Sequence, residues 1–581
     1  MAYDIIIGRD DSDKKAFGDR GLVFLGKGYV KMGQYTSLSN RILMDIARSH
    51  VVLVAGKRGC LTKNTMIFTN KGYKPISEFD ERNDKVLSFN KEMKEFEWEN
   101  AELLKYPVND ENLLQLEFEN GKKLTLTKEH PLLVANGDNI LTLLWIEAKK
   151  LKEGDKILSI GKTFNDLIPL AINKISEING IDKVYDLDVP KNHSFIANGI
   201  ISHNSGKSYT LGVIAEELSN LPKEASQNIA SLIFDTMGIY WTMKFKNEKD
   251  RDLLAEWNLK SNNLPVKIFV PIGHYDTYLS KSIPADEKFA LDVTELNSED
   301  WVITFNLDII NPISILIERI ISSLKYRGKF TISDIISEIE KDKKTNQETK
   351  NAATGLFEAA QTWGIFAEKT RDSTQIKDLI KQGTTSVIDL SVYNSVGAFN
   401  VRALAISLVS RKLFNQRMES RKSEEVKAVS KGLSLSNYSE KKENPLVWIF
   451  IDEAHEFLPS EGKTPATDAL IQLLREGRQP GISLVLATQQ PGQIHKDVMT
   501  QSDIVISHRV TSEPDLKALN QIMQSYFLEN IKQYMDDLPG LKGSAIILDD
   551  NSERIYPARI RPRFTWHGGE APTAIKGEKK L

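Results

Sequence analysis

VVLVAGKRG at residues 51–59 and SGKS at residues 205–208 are two separated parts of one loop motif. Residues 51–59 read VVLVAGKRG, an apolar strand running into a glycine turn, and residues 205–208 read SGKS before the helix-like YTLGVIAEEL. Joining Gly59 to Ser205 produces GKRGSGKS, a complete Walker A motif of the form GxxxxGK[ST]. The residues between them therefore interrupt the P-loop of an α/β nucleoside triphosphatase core, which we call the host.

The composition is that of an ordinary globular protein. A length of 581 residues predicts several domains, and 41% hydrophobic with 27% charged residues allows substantial cores. The net charge of −3 gives no bulk sign of nucleic-acid binding, so any such surface must be local, for instance inside a ring. Neither a long apolar run nor a secretory pattern stands in the sequence, so we expect a cytoplasmic protein without a membrane partner.

Residues 60–204, the insert, differ in pattern from the host. Short apolar runs alternate with NG, GK and GD turns, which predicts a compact all-β domain. Host segments instead pair apolar strands with amphipathic helices such as PISILIERIISSL. The change of period at both edges predicts a domain boundary at each.

The residues at the two edges of the insert suit self-removal. Cys60 is the only cysteine, and the ordinary interpretation of such a residue is a small buried hydrophobe. At this position its thiol is placed to take the acyl group of the Gly59–Cys60 amide, and the Ser205 hydroxyl is placed to attack the resulting thioester. The Asn204 side-chain amide then attacks its own carbonyl and frees the insert, and the ester between the host halves rearranges to an amide. These steps need no cofactor, but they predict histidines and hydroxyls nearby.

The insert resembles the inteins, which have the Hint fold, along essentially its whole length. The blocks that carry the resemblance are CLTKNTMIFT, the TKEH within GKKLTLTKEHPLLV, and VYDLDVPKNHSFIANGIISHN. Each block alone is weak, but their order, and edges that repair a motif in frame, favour an intein over an ordinary inserted β-domain. With 145 residues, the insert is too short to include a homing endonuclease, so the resemblance implies a mini-intein.

The resemblance also implies roles for residues inside the insert. Thr127 and His130 would strain and polarise the first scissile amide. Asp186 and His193 would assist transesterification and cyclisation of the last asparagine. His203 would activate the carbonyl of that asparagine or protonate its leaving group.

In the spliced host, the joined loop predicts the ligands of ATP and Mg²⁺. Backbone N–H groups would face the phosphates at the start of a helix. Lys207 would reach the β- and γ-phosphates, and the Ser208 hydroxyl would hold Mg²⁺. The predicted phosphate ligands are Gly56, Gly59, Ser205, Gly206, Lys207 and Ser208.

Two further apolar runs predict buried strands that end in polar residues. LVWIFIDEAHEFLP delivers Asp452, which would hold the Mg²⁺ shell, and Glu453, which would orient or deprotonate the attacking water. The alternative is that this pair only caps a following helix. GISLVLATQQP ends in Thr488-Gln489-Gln490, and Gln489 is our predicted γ-phosphate sensor.

An arginine pair follows the helix-like DALIQLLREGRQPG. Arg475 and Arg478 fit solvated charges at a helix end. They also fit an arginine finger that reaches the nucleotide of a neighbouring subunit, which would require an oligomer.

The host resembles the HerA family of hexameric DNA-translocating ATPases, which have a RecA-like core and are related to FtsK. The resemblance covers most of residues 40–59 and 205–570 and is carried by the joined loop, SLIFDTMGIYW, TSVIDLS, WIFIDEAHEFLP, LLREGRQPGISLVLATQQP and RIRPRFTWHGG. It implies movement on double-stranded DNA through a hexamer channel, often beside a partner nuclease. Arg478 lies where the family places its trans-acting arginine.

Other parts of the host give weaker expectations. Residues 1–59 predict a short β segment and the first core strand, so the family's N-terminal barrel is expected to be reduced or replaced. Residues 245–380 predict a helical insertion, and the resemblance implies that residues 552–581 brace a neighbouring subunit. The charged stretch 419–444 shows no apolar period and predicts a loop, either a solvated connection or a DNA contact.

Three functions remain open from the sequence. The first is a DNA translocase or helicase in DNA end processing or repair. The second is an ATPase with the same core that drives protein remodelling or conjugative DNA transfer. The third is an inert or regulated precursor, since a folded insert separates the halves of the loop.

Overall fold

The computed structural model describes most of the chain. The described residues are 4–32, 35–56, 61–80, 83–90, 95–99, 101–107, 113–127, 130–135, 143–148, 151–160, 167–178, 183–188, 194–203, 207–393, 399–432, 444–508, 517–520, 534–535, 538–539 and 543–567. Both predicted edges of the insert, at 60 and 204, lie outside these ranges.

The part of the host before the insert consists of strands and one short helix. The elements are β1 (Ile5–Ile7), α1 (Asp11–Phe17), β2 (Leu22–Met32), β3 (Tyr35–Asp45) and β4 (Val51–Ala55).

The described part of the insert is built from strands, with one 3₁₀ turn at Ile76–Glu78. The strands are β5 (Leu61–Thr62), β6 (Met66–Thr69), β7 (Gly72–Pro75), β8 (Val86–Asn90), β9 (Glu95–Glu99), β10 (Glu102–Pro107), β11 (Leu113–Phe118), β12 (Lys123–Leu126), β13 (Pro131–Ala135), β14 (Leu143–Glu147), β15 (Lys156–Ile160), β16 (Leu167–Ile178), β17 (Lys183–Asp188), β18 (Ser194–Ala197) and β19 (Ile200–His203). They pair with one another, apart from the host sheet, and bury their own core.

After the insert, strands alternate with helices. The elements are α2 (Lys207–Ser219), α3 (Lys223–Ser226), β20 (Ile229–Asp235), α4 (Arg251–Glu256), β21 (Lys267–Pro271), α5 (Tyr275–Ser280), β22 (Glu287–Phe289), α6 (Ser298–Thr304), α7 (Pro312–Arg327), α8 (Ile332–Lys341), α9 (Gln347–Gln361), α10 (Ile376–Leu379), β23 (Thr385–Asp389), α11 (Phe399–Ser430), β24 (Leu446–Ile451), α12 (Thr467–Glu476), β25 (Ile482–Thr488), α13 (Lys496–Gln501), β26 (Ile504–His508), β27 (Ser544–Asp549) and β28 (Arg554–Ile560).

The host forms one sheet with β4 in its interior. The strand order is β1-β3-β2-β28-β27-β26-β4-β25-β24-β20-β23-β21-β22. The strands from β26 to β22 are all parallel, while β27, β28 and β2 extend the sheet through antiparallel pairs. All five residues of β4 are buried, because both faces of the sheet are covered. The structure thus confirms the predicted fold class, an α/β core interrupted by an all-β domain.

The host core is assembled although its chain is interrupted. Helix α2, which follows the insert, packs on β4, which precedes it, and also on β25 and β20. Leu211 and Ile214 of α2 share one buried cluster with Val52 and Val54 of β4. The halves of the P-loop therefore belong to adjacent elements of one folded unit before any splicing.

Two expectations about the host need correction. The region 245–380 is not only helical, because β21 and β22 form the end of the parallel sheet and the main helices, α6 to α9, begin at Ser298. The stretch 419–444 is not a loop throughout, because α11 continues to Ser430. Residues 433–443 lie outside the described residues.

The C-terminal segment packs on its own chain, over the helix that follows the insert. Arg561 and Arg563 are fully buried and both form ion pairs with Glu216 of α2, at 2.9 and 3.1 Å. Backbone N–H groups of Phe564 and Thr565 donate to the same carboxylate. The described part of the predicted brace therefore contacts α2, and residues 568–581 lie outside the described residues.

We expect Glu216→Gln to destabilise the host by about 3 kcal/mol, because breaking one partner out of a buried ion pair leaves buried charge uncompensated. The shift of the urea unfolding midpoint of the spliced protein measures this loss. Glu256→Gln removes an exposed carboxylate of α4 and should change stability by less than about 0.5 kcal/mol. Equal midpoints for the two variants would contradict the expectation.

Candidate functional sites

The carboxyl edge of the parallel host strands gathers the predicted nucleotide residues. The backbone N–H of Gly56, just after β4, donates to the carbonyl of Thr488 at the end of β25, at 3.2 Å. The first turn of α2 lies at the same edge, because Thr210 Oγ1 hydrogen-bonds His508 Nε2 at the end of β26, at 2.7 Å. Ser208 is half-buried in this turn. Gly59, Ser205 and Gly206, with the side chain of Lys207, lie outside the described residues.

The predicted acidic pair and the predicted sensor meet at this edge. Asp452, directly after β24, is 2% exposed, and its Oδ1 accepts the backbone N–H of Glu453 at 2.9 Å. Glu453 has a left-handed backbone with φ of 50°, which an L-residue adopts at a cost and which is common at functional sites. Gln489 Nε2 donates to Glu453 Oε1. The geometry thus joins Glu453 and Gln489, which the sequence placed on separate strands.

Further carboxylates surround this pair. Burial, opposed by Arg402 and reinforced by the charges of Glu453 and Asp452, raises the pKa of Glu456 to about 7. Asp235 and Asp389 end neighbouring strands and stand opposite each other in the β20–β23 register. Burial and the charge of Asp389 raise the pKa of Asp235 to about 7. The edge therefore gathers several carboxyl groups, whose oxygens would suit a bound cation.

The predicted arginine finger lies at the opposite edge of the sheet. Arg478 follows α12, and its guanidinium contacts the carbonyl of Gln501 and lies 3.8 Å from Asp503. Asp503 Oδ1 accepts the backbone N–H of Val51, the first residue of β4. Arg478 is thus separated from its own nucleotide edge by the length of β4, about 13 Å. Its side chain is 43% exposed. Arg475 forms an ion pair with Asp497 at 2.6 Å.

Within the insert, the strands on either side of the TxxH turn pair with the first and last described strands of the insert. Strand β5 starts one residue after Cys60, and Leu61 pairs with Leu126, the neighbour of Thr127. After the turn, Leu132 of β13 stands opposite Ser202 of β19. Strand β19 is the last strand of the insert and ends at His203. The turn from Thr127 to His130 connects the strand next to the first residue of the insert with the strand next to its last.

The predicted residues of this turn are buried. Thr127 is 6% exposed and His130 is 0% exposed. The His130 N–H donates to the Thr127 carbonyl at 3.0 Å, which closes the turn.

The other predicted splicing residues are described only in part. Asp186 lies in β17, whose Tyr185 pairs with Leu61, so its backbone neighbours the N-terminal edge. His203 ends β19, opposite Ser194 of β18. The side chains of Asp186 and His203 lie outside the described residues, as do Cys60, His193 and Asn204 altogether.

Sequence reasoning missed several residues at the nucleotide edge. Asp235, Asp389 and Tyr240 were not singled out, although SLIFD and TSVID each show an apolar run ending in aspartate, the same signal that identified Asp452. Applied to every strand, that rule would have found both aspartates. Tyr240 carries no such signal.

Two protein-family models match the host. The model described as the central domain of helicase HerA matches residues 205–408, and that of the zonular occludens toxin Zot matches residues 374–514. Among the described residues, no helix is both long enough and apolar enough to cross a membrane.

Curated relatives come from archaea. The DNA double-strand break repair helicase HerA of Pyrococcus furiosus is 28% identical over 199 residues, 31% of this chain and 33% of the relative. That of Sulfurisphaera tokodaii is 23% identical over 337 residues, covering 58% and 57%. A probable HerA helicase of Methanocaldococcus jannaschii is 31% identical over 103 residues, covering 18% and 20%. The chain thus spans between a fifth and three fifths of these relatives' lengths.

Solved structures similar to the chain include inteins. An intein from a hyperthermophile is 25% identical with a TM-score of 0.23, and the match covers 25% of this chain and 99% of that structure. The Ssp DnaB mini-intein variant M86 is 21% identical with a TM-score of 0.22, covering 26% and 95%.

Proposed function

We propose that the chain, whose residues 205–408 match the model of the HerA helicase central domain, is the precursor of an ATP-driven DNA translocase that becomes active after its insert splices itself out. The observation that carries the ATPase part is the meeting of Asp452, Glu453 and Gln489 beside β4 and α2. Two relatives are named as DNA double-strand break repair helicases, which supports the proposal that this ATPase acts on DNA.

The residues at the carboxyl edge fit Mg²⁺ and ATP. Hard oxygen donors suit Mg²⁺, and Asp452 offers a buried carboxylate within a cluster of negative charge. In this proposal Asp452 and Ser208 hold the ion, and Lys207 with the loop backbone binds the phosphates. When bound, Mg²⁺ neutralises charge on the β- and γ-phosphates.

Glu453 and Gln489 would prepare the attacking water. Glu453 is held by Gln489 and by its left-handed backbone, so its carboxylate has a fixed direction. A carboxylate held in one direction would orient a water molecule towards the γ-phosphate and accept a proton from that water. Gln489 contacts that carboxylate directly. A shift of the Gln489 side chain on loss of the γ-phosphate would therefore move the Glu453 carboxylate without any residue between them.

The insert is proposed to be an intein that acts through Cys60, Ser205 and Asn204. Support comes from the strand pairing. Leu61 stands opposite Leu126, the residue before Thr127, and Leu132, two residues after His130, stands opposite Ser202. Asp186, His193 and His203 are proposed to assist the later steps. No cofactor is proposed for these reactions.

We further propose that copies of the spliced protein assemble into a ring, a hexamer, that surrounds double-stranded DNA and works with a nuclease. Support for an oligomer is that Arg478, which the resemblance matches to a trans-acting arginine, is exposed at the opposite edge of the sheet from its own Glu453, where only a neighbour's nucleotide would be within its reach. The same exposed guanidinium would then stabilise the charge that develops on that neighbour's γ-phosphate.

The test is DNA-stimulated hydrolysis of ATP by the spliced protein of 436 residues, the 581 of the chain less the 145 of the insert. We expect double-stranded DNA to raise the turnover number, and we expect negligible hydrolysis from chains in which splicing is blocked. Hydrolysis that no DNA stimulates would reject the translocase, and equal hydrolysis by spliced and unspliced chains would reject the precursor.

A further inference from the structure

Tyr240 carries a buried hydroxyl that finds no hydrogen-bond partner among the described residues. The residue opens the 3₁₀ helix Tyr240–Lys244 directly after β20 and is 1% exposed. Its hydroxyl makes no hydrogen bond in the described part of the chain. A buried tyrosine hydroxyl normally finds a partner, because an unsatisfied polar group destabilises the fold.

The position of Tyr240 relates this hydroxyl to the nucleotide edge. Its backbone N–H donates to Asp235 Oδ2 at 2.8 Å, which fixes the residue at the end of β20. In the β20–β24 pair, Phe234 stands opposite Ile451, so Asp235 and Asp452 follow side by side. The Tyr240 ring packs in the core cluster that also holds the apolar residues of α2. It therefore lies on the α2 side of the sheet, beside the acidic pair.

The electrostatic surroundings keep the hydroxyl protonated. Burial is the main cause, and the negative charges of Asp452 and Asp235 add to it, raising the pKa of Tyr240 well above its usual value. The group is thus a hydrogen-bond donor at all physiological pH values. Thr236, the first residue after β20, has a second fully buried hydroxyl for which the described part of the chain offers no partner. Two donors without acceptors at one strand end indicate that a polar occupant completes this place.

We propose that Tyr240 belongs to the nucleotide site and that its hydroxyl donates a hydrogen bond to the Mg²⁺-bound water beside Asp452. The inference rests on the proposed ATPase function. Tyr240 is uncharged, so it contributes a hydrogen-bond donor to the site without adding a negative charge to the carboxylates already there. It also explains why an unsatisfied hydroxyl is retained where phenylalanine would pack as well.

The test compares Tyr240→Phe with the wild type in the spliced protein obtained from the full chain. Calorimetric titration with ADP, in Mg²⁺ and again in EDTA, gives the factor by which Mg²⁺ strengthens binding. We expect this factor to fall about tenfold in Tyr240→Phe, because that is the change in affinity expected when one hydrogen bond to a charged group is lost. The affinity for ADP in EDTA should be unchanged. The unfolding temperature without nucleotide should stay equal or rise, because the substitution removes an unsatisfied group.

Tyr393→Phe is the matched control. Its hydroxyl donates to the carbonyl of Trp363 at 2.8 Å, so its loss should lower the unfolding temperature and leave the Mg²⁺ factor unchanged. An unchanged Mg²⁺ factor in Tyr240→Phe, or a lowered unfolding temperature without nucleotide, overturns the inference and leaves the proposed function standing. Failure of the wild type to bind ADP under either condition overturns both.

Discussion

A chain carrying Cys60→Ala together with Asn204→Ala is expected to remain a single species of 65.6 kDa, whereas the wild-type chain is expected to yield separate host and insert products. Alanine at 60 removes the sulfur that takes the acyl group, and alanine at 204 removes the amide that cuts the C-terminal edge. Both routes to chain cleavage are then closed. Intact-mass measurement of freshly purified protein reads the result directly, and the effect is all-or-none.

The single variants separate the two steps. Cys60→Ala alone leaves the asparagine able to cyclise, so we expect cleavage only at the C-terminal edge. Asn204→Ala alone leaves the thioester, which an added thiol should cleave at the N-terminal edge. Asn120→Ala, an exposed turn residue of the same insert, is the control and should splice as the wild type does. A wild-type chain that persists at full mass would exclude self-splicing under those conditions.

The second large effect concerns Glu453→Gln in the spliced protein. Glutamine keeps the size of the side chain and can still accept the hydrogen bond from Gln489, so the local geometry should survive. It cannot take a proton from water. We therefore expect the turnover number for ATP hydrolysis to fall by about 10²–10⁴-fold, the usual worth of a general base, with ATP binding retained.

Glu461→Gln provides the matched control, since Glu461 is an exposed carboxylate eight residues after Glu453. This variant should hydrolyse ATP at the wild-type rate. Measurement of ATP binding by the Glu453 variant separates loss of chemistry from loss of the site. If the variant hydrolyses ATP within a few-fold of the wild type, Glu453 is not the base.

The sequence predicted those parts of the structure whose signals are local. The strand VVLVA and the acidic pair each combine an apolar run with special residues at its end, and both strands end at the same edge of the sheet. The all-β insert was predictable because its turns recur at short intervals.

Features that depend on distant partners were not predictable. The resemblance implied that residues 552–581 brace a neighbouring subunit, but it did not indicate that Arg561 and Arg563 are buried against Glu216, more than 340 residues earlier in the same chain. The charged end of α11 shows no apolar period, yet Arg417 pairs with Glu424 in the same helix and holds the carbonyl of Pro480. Charged residues are good helix formers, so propensity was a better guide there than periodicity.

The joining of β4 to α2 in the interrupted chain has a consequence for assemblies of this protein. A folded insert between these two elements costs its host little conformational entropy, so an unspliced copy keeps the folded core of a finished one. In the proposed ring, such a copy would be accepted as a subunit, with an exposed Arg478 for its neighbour but no complete phosphate loop of its own. One subunit that splices slowly would then impair the activity of a whole ring. The selective pressure for fast splicing would therefore be greater than if each unspliced copy cost only its own activity.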